Sequence, residues 1–480
     1  MRLIGFALLI ALPGVIEAQR TAPSSADSAL IGRVLLAEDR RDSADAAIRD
    51  GMQSADAIVR TIATRAIGRM RDPRFAMRDS LPVLPPPPSW PEPAWRLRLR
   101  ALAAQKTDCA AIRGALADSV WPVRLLAADL IAPPCAGEAE RAMLRSWVDA
   151  LPADASRRQT GGVSWHAAAH GAVALARVSP NDARQRLVRL STHRQWQVRM
   201  YSARAAALLA DTSRLRALAL DTDDNVRDVA IGALSELTHH ADDDFYLAAL
   251  RGRGAQAARA GALALKGSLR EDVREAAWDA YRQWASRDIA SARDARVALL
   301  EAAGRPASDD QPPAPQNELL PQVVALALGQ DVRLRVTMAP ASGGGSFVVR
   351  LRGDVAPLMA SRILALARAH YYDGLTWHRV EHDFVIQGGS PGASEYVGLA
   401  AFMRDEVGSV PHLRGTVGMS TRGHDTGDAQ WFVNLKDNLR LGRDYTVFAE
   451  VVRGIEVVDG VLEGDTIASI EVVTPSDSTG

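Results

Sequence analysis

Lysine, cysteine, aromatic residues and net charge are all scarce in this chain, and each scarcity removes a class of function. Lys occurs only at Lys106, Lys266 and Lys436, so almost all positive charge is Arg, and no basic run or aromatic-interleaved basic stripe is present. The 57 basic residues meet 57 acidic ones, which leaves no long-range field to attract nucleic acid or an anionic membrane. No nucleic-acid partner is expected. Two cysteines, Cys109 and Cys135, are too few for a disulfide scaffold. One bond between neighbouring helical units is permitted in an oxidising compartment, and without a nearby His pair the two cannot make a zinc site. Long apolar runs are also missing. The one near the start, Leu3 to Ile16, is too short for a bilayer and is followed by Glu17, a small Ala18 and polar residues from Gln19. That pattern reads as a secretory signal peptide over residues 1–18, with an N-terminal membrane anchor as the alternative. Export to the periplasm, or out of the cell, is expected, with no integral membrane segment once the signal is removed.

A length of 480 residues implies two or three domains of about 100 to 250 residues. Residues 19–28 are polar and expected to be unstructured. From 29 to 303 the chain is rich in Ala, Leu and Arg with helical periodicity, and it repeats a Val-Arg pair followed by a small residue three positions after the Arg. The copies are Val59-Arg60 with Ala63, Val123-Arg124 with Ala127, Val226-Arg227 with Ala230 and Val273-Arg274 with Ala277, with Val198-Arg199 and Ser202 a weaker one. Small apolar residues at one-turn intervals let helices stack closely, each unit needing its neighbours. The pattern resembles HEAT-like repeats in units of about 30 to 45 residues; an Ala/Arg-rich helical bundle without true repeats is the alternative. Acidic or amide residues before the Val would cap each helix, and the Arg would reach toward the adjacent repeat's loop. A Pro-rich insertion at 81–95 should run as an extended polyproline segment across the repeat surface. A second Pro-rich stretch places a linker at 304–328. His239-His240 read as a surface pair at a helix end.

Beyond the linker, from 329 to 475, the periodicity switches to short strands separated by Gly-rich turns, with helices expected at Pro357 to Ala369 and Ile455 to Leu462. Residues 476–480 form a tail. Many short strands with two helices point to a closed antiparallel barrel with the helices on its ends.

Two blocks in this region carry a specific pattern. The first runs Tyr371-Tyr372-Asp373-Gly374-Leu375-Thr376-Trp377-His378-Arg379-Val380, then Phe384-Val385-Ile386-Gln387-Gly388-Gly389. The second runs Gly415 to Ser420, then Gln430 to Asn434, then Tyr445 to Ala449. Together they resemble the cyclophilin-type peptidyl-prolyl cis-trans isomerases. The resemblance implies Arg379, Phe384 and Gln387 as catalytic residues and substrate contacts from His378, Val385, Ser420, Thr421, Gln430, Phe432, Leu441 and Tyr445. Within it, Phe384, Val385, Phe432 and Leu441 would wall a proline pocket, Arg379 would donate to the prolyl nitrogen, and Gln387 would orient the arginine or the substrate. The chemistry itself asks for little: rotation about an X-Pro bond is opposed by about 18–20 kcal/mol of lost amide resonance, and no nucleophile, metal or cofactor is needed to lower it. The chain departs from the family's pattern at Thr421, often Asn; at Arg440, often Trp; at Tyr445, often His; at Trp431, usually Phe; and at Ser390, commonly Asp. His378-Arg379-Val380-Glu381-His382 also matches the H-x-x-E-H zinc-peptidase motif, which works only on a helix; its surroundings read as strand and turn.

The expected architecture is therefore multidomain, an N-terminal all-α solenoid followed by a cyclophilin-like barrel with two helices. The expected function is a prolyl isomerase that assists folding of exported proteins, acting on proline-containing clients, with the repeats recruiting clients or a protein partner. The alternative is a binding module or scaffold in which the solenoid is the working part and the barrel grips Pro-containing segments without useful turnover.

Overall fold

The computed structural model describes residues 23–72, 84–158, 163–252, 254–310 and 322–474. The expected signal peptide, the first three residues of the Pro-rich insertion, the middle of the linker and the tail fall outside them.

The first helix, Ser25–Arg40, begins inside the stretch expected to be unstructured. Ser24 caps it by accepting from the Asp27 N–H at 3.1 Å, and Asp27 adds a carboxylate at the positive end of the helix. Ile31, Val34 and Leu35 on its buried face pack on Val59, Ile62 and Ala63 of helix Ala57–Arg71. Farther along, His166–Val178, Trp196–Leu208, Asp224–Thr238, Ala255–Leu265 and Arg293–Ala302 pack one on the next. Pro180–Leu190, Thr212–Leu218, Asp243–Leu250 and Glu271–Ala285 lie between them as a second layer. The repeated pattern serves this stacking: the Val of every copy and the small residue after it are buried. The arginines divide between the loop before their own helix and the loop of the next unit. Arg60 and Arg124 fold back on the loop before their own helix, donating to Ser54 and Ala55 carbonyls and to Asp118 O respectively. Arg199 does this and also grips Asp221 of the following loop. A disulfide joins Cys109, at the start of helix Cys109–Leu116, to Cys135, with their Cα atoms 4.7 Å apart.

Nine strands among the described residues form the barrel: β1 Arg333–Met338, β2 Ser346–Leu351, β3 Thr376–Trp377, β4 Arg379–Val380, β5 Val385–Gly388, β6 Thr416–Met419, β7 Trp431–Asn434, β8 Val447–Arg453 and β9 Asp465–Val473. Their order is β3-β9-β1-β2-β8-β6-β7-β5-β4, every pairing is antiparallel, and a Thr376↔Ser390 bridge brings the ends together into a nearly closed barrel. Phe347, Trp377, Trp431 and Phe448 fill its interior. Helix Pro357–Arg368 packs on β8 and β9. The second helix is shorter than expected, Ile455–Asp459, because Gly460 ends it.

The connecting segments are docked. The Pro-rich segment crosses the barrel, not the repeat surface: Arg350 and Arg352 donate to Pro85 O at 2.7 and 3.1 Å, and Trp90 Nε1 donates to Val451 O at 3.1 Å. Prolines lack N–H groups, so their carbonyls are matched with arginine donors instead of a strand. The far end of the linker is a helix, Val323–Ala327, whose Val323 and Ala327 join the first helical core while Leu326 joins the barrel core. Val323 and Ala327 lie one turn apart on one face, while the adjacent Leu326 points about 100° away from Ala327, toward the barrel.

The helical array holds the barrel along its length. Buried Arg69 donates to Val407 O at 3.0 Å and Val355 O at 2.7 Å. Arg96 reaches His382 O, Arg158 reaches Asp465, Tyr201 reaches Glu463, and Asn225 reaches Gly392 O.

Candidate active site

Strand register builds the site. β4 pairs with β5 so that Arg379 lies opposite Gln387, and β5 pairs with β7 so that Gln387 lies opposite Phe432. Directly opposed residues share a sheet face, so Arg379, Gln387 and Phe432 form one row across three strands. The row continues to Gly418 of β6, where a Cβ would come 2.3 Å from Phe432 Cζ; glycine leaves the ring its place. Val385, two residues before Gln387, shares its face and joins Phe432 and Leu441 in a small apolar cluster, with Phe384 and Tyr445 packed against it. Together these residues bound a cavity of about 260 Å³, to which Ser420, Thr421, Arg440 and Glu395 add polar edges.

The polar groups are tied in sequence. Arg379 Nη1 donates to Gln387 Oε1 at 3.2 Å, while Nε donates to Glu381 Oε1 at 2.9 Å and Nη2 to the same oxygen. Gln387 Nε2 donates to Ser420 Oγ at 2.9 Å and Gln430 Oε1 at 3.4 Å, and Gln430 donates to the Val397 and Glu395 carbonyls at 3.0 and 3.2 Å. The loop bearing those carbonyls is pinned by Ser390, whose Oγ donates to Val397 O at 2.7 Å, which accounts for serine at this position. The array grips the same loop, since Arg259 lies 3.8 Å from the Tyr396 ring and Arg422 joins Glu395 O to Asp294 and Ser291 O. On the other side, the Phe432 ring is held between His412, stacked at 5.8 Å, and Tyr445, edge-on at 5.8 Å. Burial lowers the His412 pKa. Its neutral ring accepts from Asn434 Nδ2 at 3.1 Å and donates through Nε2 to Tyr445 O at 3.1 Å. The Arg440 guanidinium covers the Phe384 ring at 4.7 Å, as an aromatic lid would.

The arrangement presents a guanidinium, one edge fixed and half exposed, at the rim of an apolar hollow. It can hold an apolar ring and offer N–H donors to an amide beside it. The Pro_isomerase family model, cyclophilin type peptidyl-prolyl cis-trans isomerase, matches residues 335–475. A peptidyl-prolyl cis-trans isomerase of Helicobacter pylori is 35% identical over 130 residues, covering 26% of this chain and 80% of the relative. Peptidyl-prolyl cis-trans isomerase B of Bacillus subtilis is 32% identical over 131 residues, covering 27% of this chain and 92% of the relative. The chain belongs to the cyclophilin-type peptidyl-prolyl cis-trans isomerases. A crystal structure of a Cryptosporidium parvum cyclophilin aligns with 30% of this chain and 98% of its own, at 20% identity and a TM-score of 0.28. The cyclophilin domain makes the protein a peptidyl-prolyl cis-trans isomerase acting on proline-containing peptides.

Most residues expected from sequence lie around this cavity: Arg379, Phe384, Val385, Gln387, Ser420, Thr421, Phe432, Leu441 and Tyr445. Two do not line it. His378 sits at the break between β3 and β4, where alternation turns it from the face of Arg379, and burial pushes its pKa down to about 4. Gln430 stands behind Gln387 and orients it. Sequence reading missed Glu381, Glu395 and His412. Glu381 was legible in principle, two positions after Arg379 on an extended chain, but it drew notice only within the H-x-x-E-H match. That segment is strand and turn, Glu381 pairs with Arg379, and His382 packs edge-on against Trp95 at 5.8 Å.

Proposed function

We propose that this protein is an exported folding isomerase in which Arg379, Phe384 and Gln387 carry catalysis. The observation that carries the reading is the Arg379–Gln387 pair standing at the rim of the Val385, Phe432 and Leu441 hollow. A prolyl ring seated in that hollow is held while the preceding carbonyl turns. As resonance breaks, the prolyl nitrogen becomes pyramidal and regains a lone pair, and a donor aimed at that pair favours the twisted form over either planar one. Arg379 has five N–H groups, of which three are engaged by Gln387 and Glu381 among the described residues. The remaining donors are free for substrate, and the Glu381 and Gln387 anchors spare the guanidinium the entropy of being fixed at the moment of reaction. Ser420, Thr421 and Tyr445 edge the groove through which the chain on either side of the proline would pass.

Export is supported by the apolar Leu3 to Ile16 run and by the Cys109–Cys135 disulfide, a bond that persists in oxidising compartments. Recruitment of clients by the helical array is supported by the array's grip on the loop that borders the cavity, through Arg259, Asn225, and Asp294 and Ser291 O, which hold Arg422. The experiment compares the intact protein on two substrates, a short X-Pro peptide and an unfolded protein whose refolding is limited by one proline. An array that recruits clients makes kcat/KM higher on the protein than on the peptide; equal values on both remove the recruiting role and leave a plain isomerase.

A further inference from the structure

Behind the Arg379–Glu381 pair lies a second cavity, of about 320 Å³, that exists because the helical array is docked on the barrel. Its array side carries Leu99, Leu125 and Leu126, and its barrel side carries Val380 and Leu462, so its walls are mainly apolar. Carboxylates stand at its limits. Asp129, with its side chain 43% exposed, pairs with His170 Nδ1 at 2.7 Å, and half-buried Glu463 accepts from Tyr201 Oη at 2.9 Å. Glu381 lines this cavity while its carboxylate holds Arg379 at the first one. The two hollows therefore share a wall, and the second continues the active site past the guanidinium.

The charges around it favour a cation. His166 and His382, which also line it, are kept neutral because burial pushes both pKa values down to about 3. His382 Nδ1 is buried with no partner among the described residues, a ring nitrogen left unused beside the cavity. Of the nearby guanidinium groups, Arg96 pairs with Asp459 at 2.9 Å and Arg204, over the Tyr201 ring at 4.4 Å, is the counter-charge of Glu463, which leaves Asp129 as the carboxylate open to an incoming cation. A mainly apolar cavity with the partly exposed Asp129 at its mouth suits a long alkyl stem with a charged head, which is the form of a lysine or arginine side chain.

We propose that this cavity is an accessory subsite that receives a lysine or arginine side chain of the polypeptide whose proline occupies the Arg379 site. The proposal rests on the active-site reading above. Glu381 follows Arg379 by two residues on an extended chain, roughly 7 Å, so the basic residue lies within about three residues of the proline. No homologous barrel alone would have the subsite, because half of its wall comes from the helical array.

The test uses the intact protein and a series of X-Pro peptides, each with one Lys or one Glu at a single position up to four residues from the proline, with exchange followed by NMR. At one position the Lys peptide should be turned over about fivefold better than the Glu peptide, mostly through KM, the scale of a partly exposed charge contact. Asp129→Lys reverses the charge at the mouth, and Leu126→Trp fills the hollow without touching a charge; each should bring the ratio to about one. A ratio near one at every position in the unaltered protein overturns the proposal. A Lys preference that survives both substitutions also overturns it, by locating the preference elsewhere. Arg379→Ala separates the two levels: loss of turnover on all peptides with no Lys preference in the unaltered protein defeats the subsite alone. Full turnover by Arg379→Ala defeats the active-site reading and the subsite with it.

Discussion

Replacing Arg96 by Met should loosen the barrel from its cradle. The Arg96 side chain is fully buried, and its three nitrogens donate to His382 O at 2.7 Å, Leu435 O at 2.9 Å and Asp459 Oδ1 at 2.9 Å. Methionine keeps the stem and removes the guanidinium. Breaking one side of a buried ion pair typically costs about 3–5 kcal/mol. Here the cost is reduced because Arg414 still donates to Asp459 at 2.7 Å and to Leu435 O at 2.9 Å. His382 O loses its partner, and an orphaned buried carbonyl costs about 1–3 kcal/mol. The two considerations converge on roughly 3 kcal/mol. Equilibrium denaturation followed by tryptophan fluorescence reads this directly, with Arg98→Met as control. Arg98, on the same helix as Arg96, Ala94–Ala104, pairs with Asp118 of a later loop but is 46% exposed, so its loss should stay below about 1 kcal/mol. Isomerase kcat/KM should also fall several-fold in Arg96→Met, since His382 adjoins Glu381, the anchor of Arg379. Equal stability of the two variants would refute the reasoning, because the barrel would then not be held as described.

Two further outcomes are expected. Stability should fall as the medium is acidified below about pH 6.5, because buried His166 donates to Glu463 O at 2.8 Å and its pKa is pushed down to about 3. The unfolded chain takes up the proton near pH 6.5 and the folded one does not until about pH 3, so its contribution reaches about 2 kcal/mol at pH 5. Asp465, raised by burial to about 6, acts in the opposite sense as the pH falls through that value, so the His166 share is the difference in pH slope between the protein and His166→Phe; identical slopes would contradict it. Gly418→Ala should displace the Phe432 ring, given the 2.3 Å approach of a Cβ there. A rise in KM for X-Pro peptides with a stability loss of about 1–3 kcal/mol is expected, and an unchanged KM would mean that the ring does not wall the pocket.

The barrel and most of its site were legible because the two sequence blocks fix strand register: once β4 faces β5 and β5 faces β7, Arg379, Gln387 and Phe432 must share a row. His378 does not line the cavity: alternation turns it from the face of Arg379, at the break where Thr376–Trp377 pairs with β9 and Arg379–Val380 with β5. The helical stacking was legible in the small residues at Ala63, Ala127 and Ala230, which have little other reason to recur. What lies between the domains was not. Arg65, Arg69 and Arg96 occupy helix positions that a sequence reads as solvated, yet they are buried against backbone carbonyls nearly 300 residues away, where no local periodicity reaches. Prolines 85 to 88 announced an extended segment but not the surface it crosses, and the five residues of Val323–Ala327 are too few for a periodic signal.

The central claim is that Arg379 speeds rotation about X-Pro bonds, and the exchange rate of a short X-Pro peptide tests it most directly. Uncatalysed exchange takes tens of seconds or longer, so catalysis is readily seen. The protein should accelerate exchange, and Arg379→Ala should lower kcat/KM by about a hundredfold, the typical cost of removing one preorganised donor. Exchange as fast with Arg379→Ala as with the unaltered protein would contradict the account.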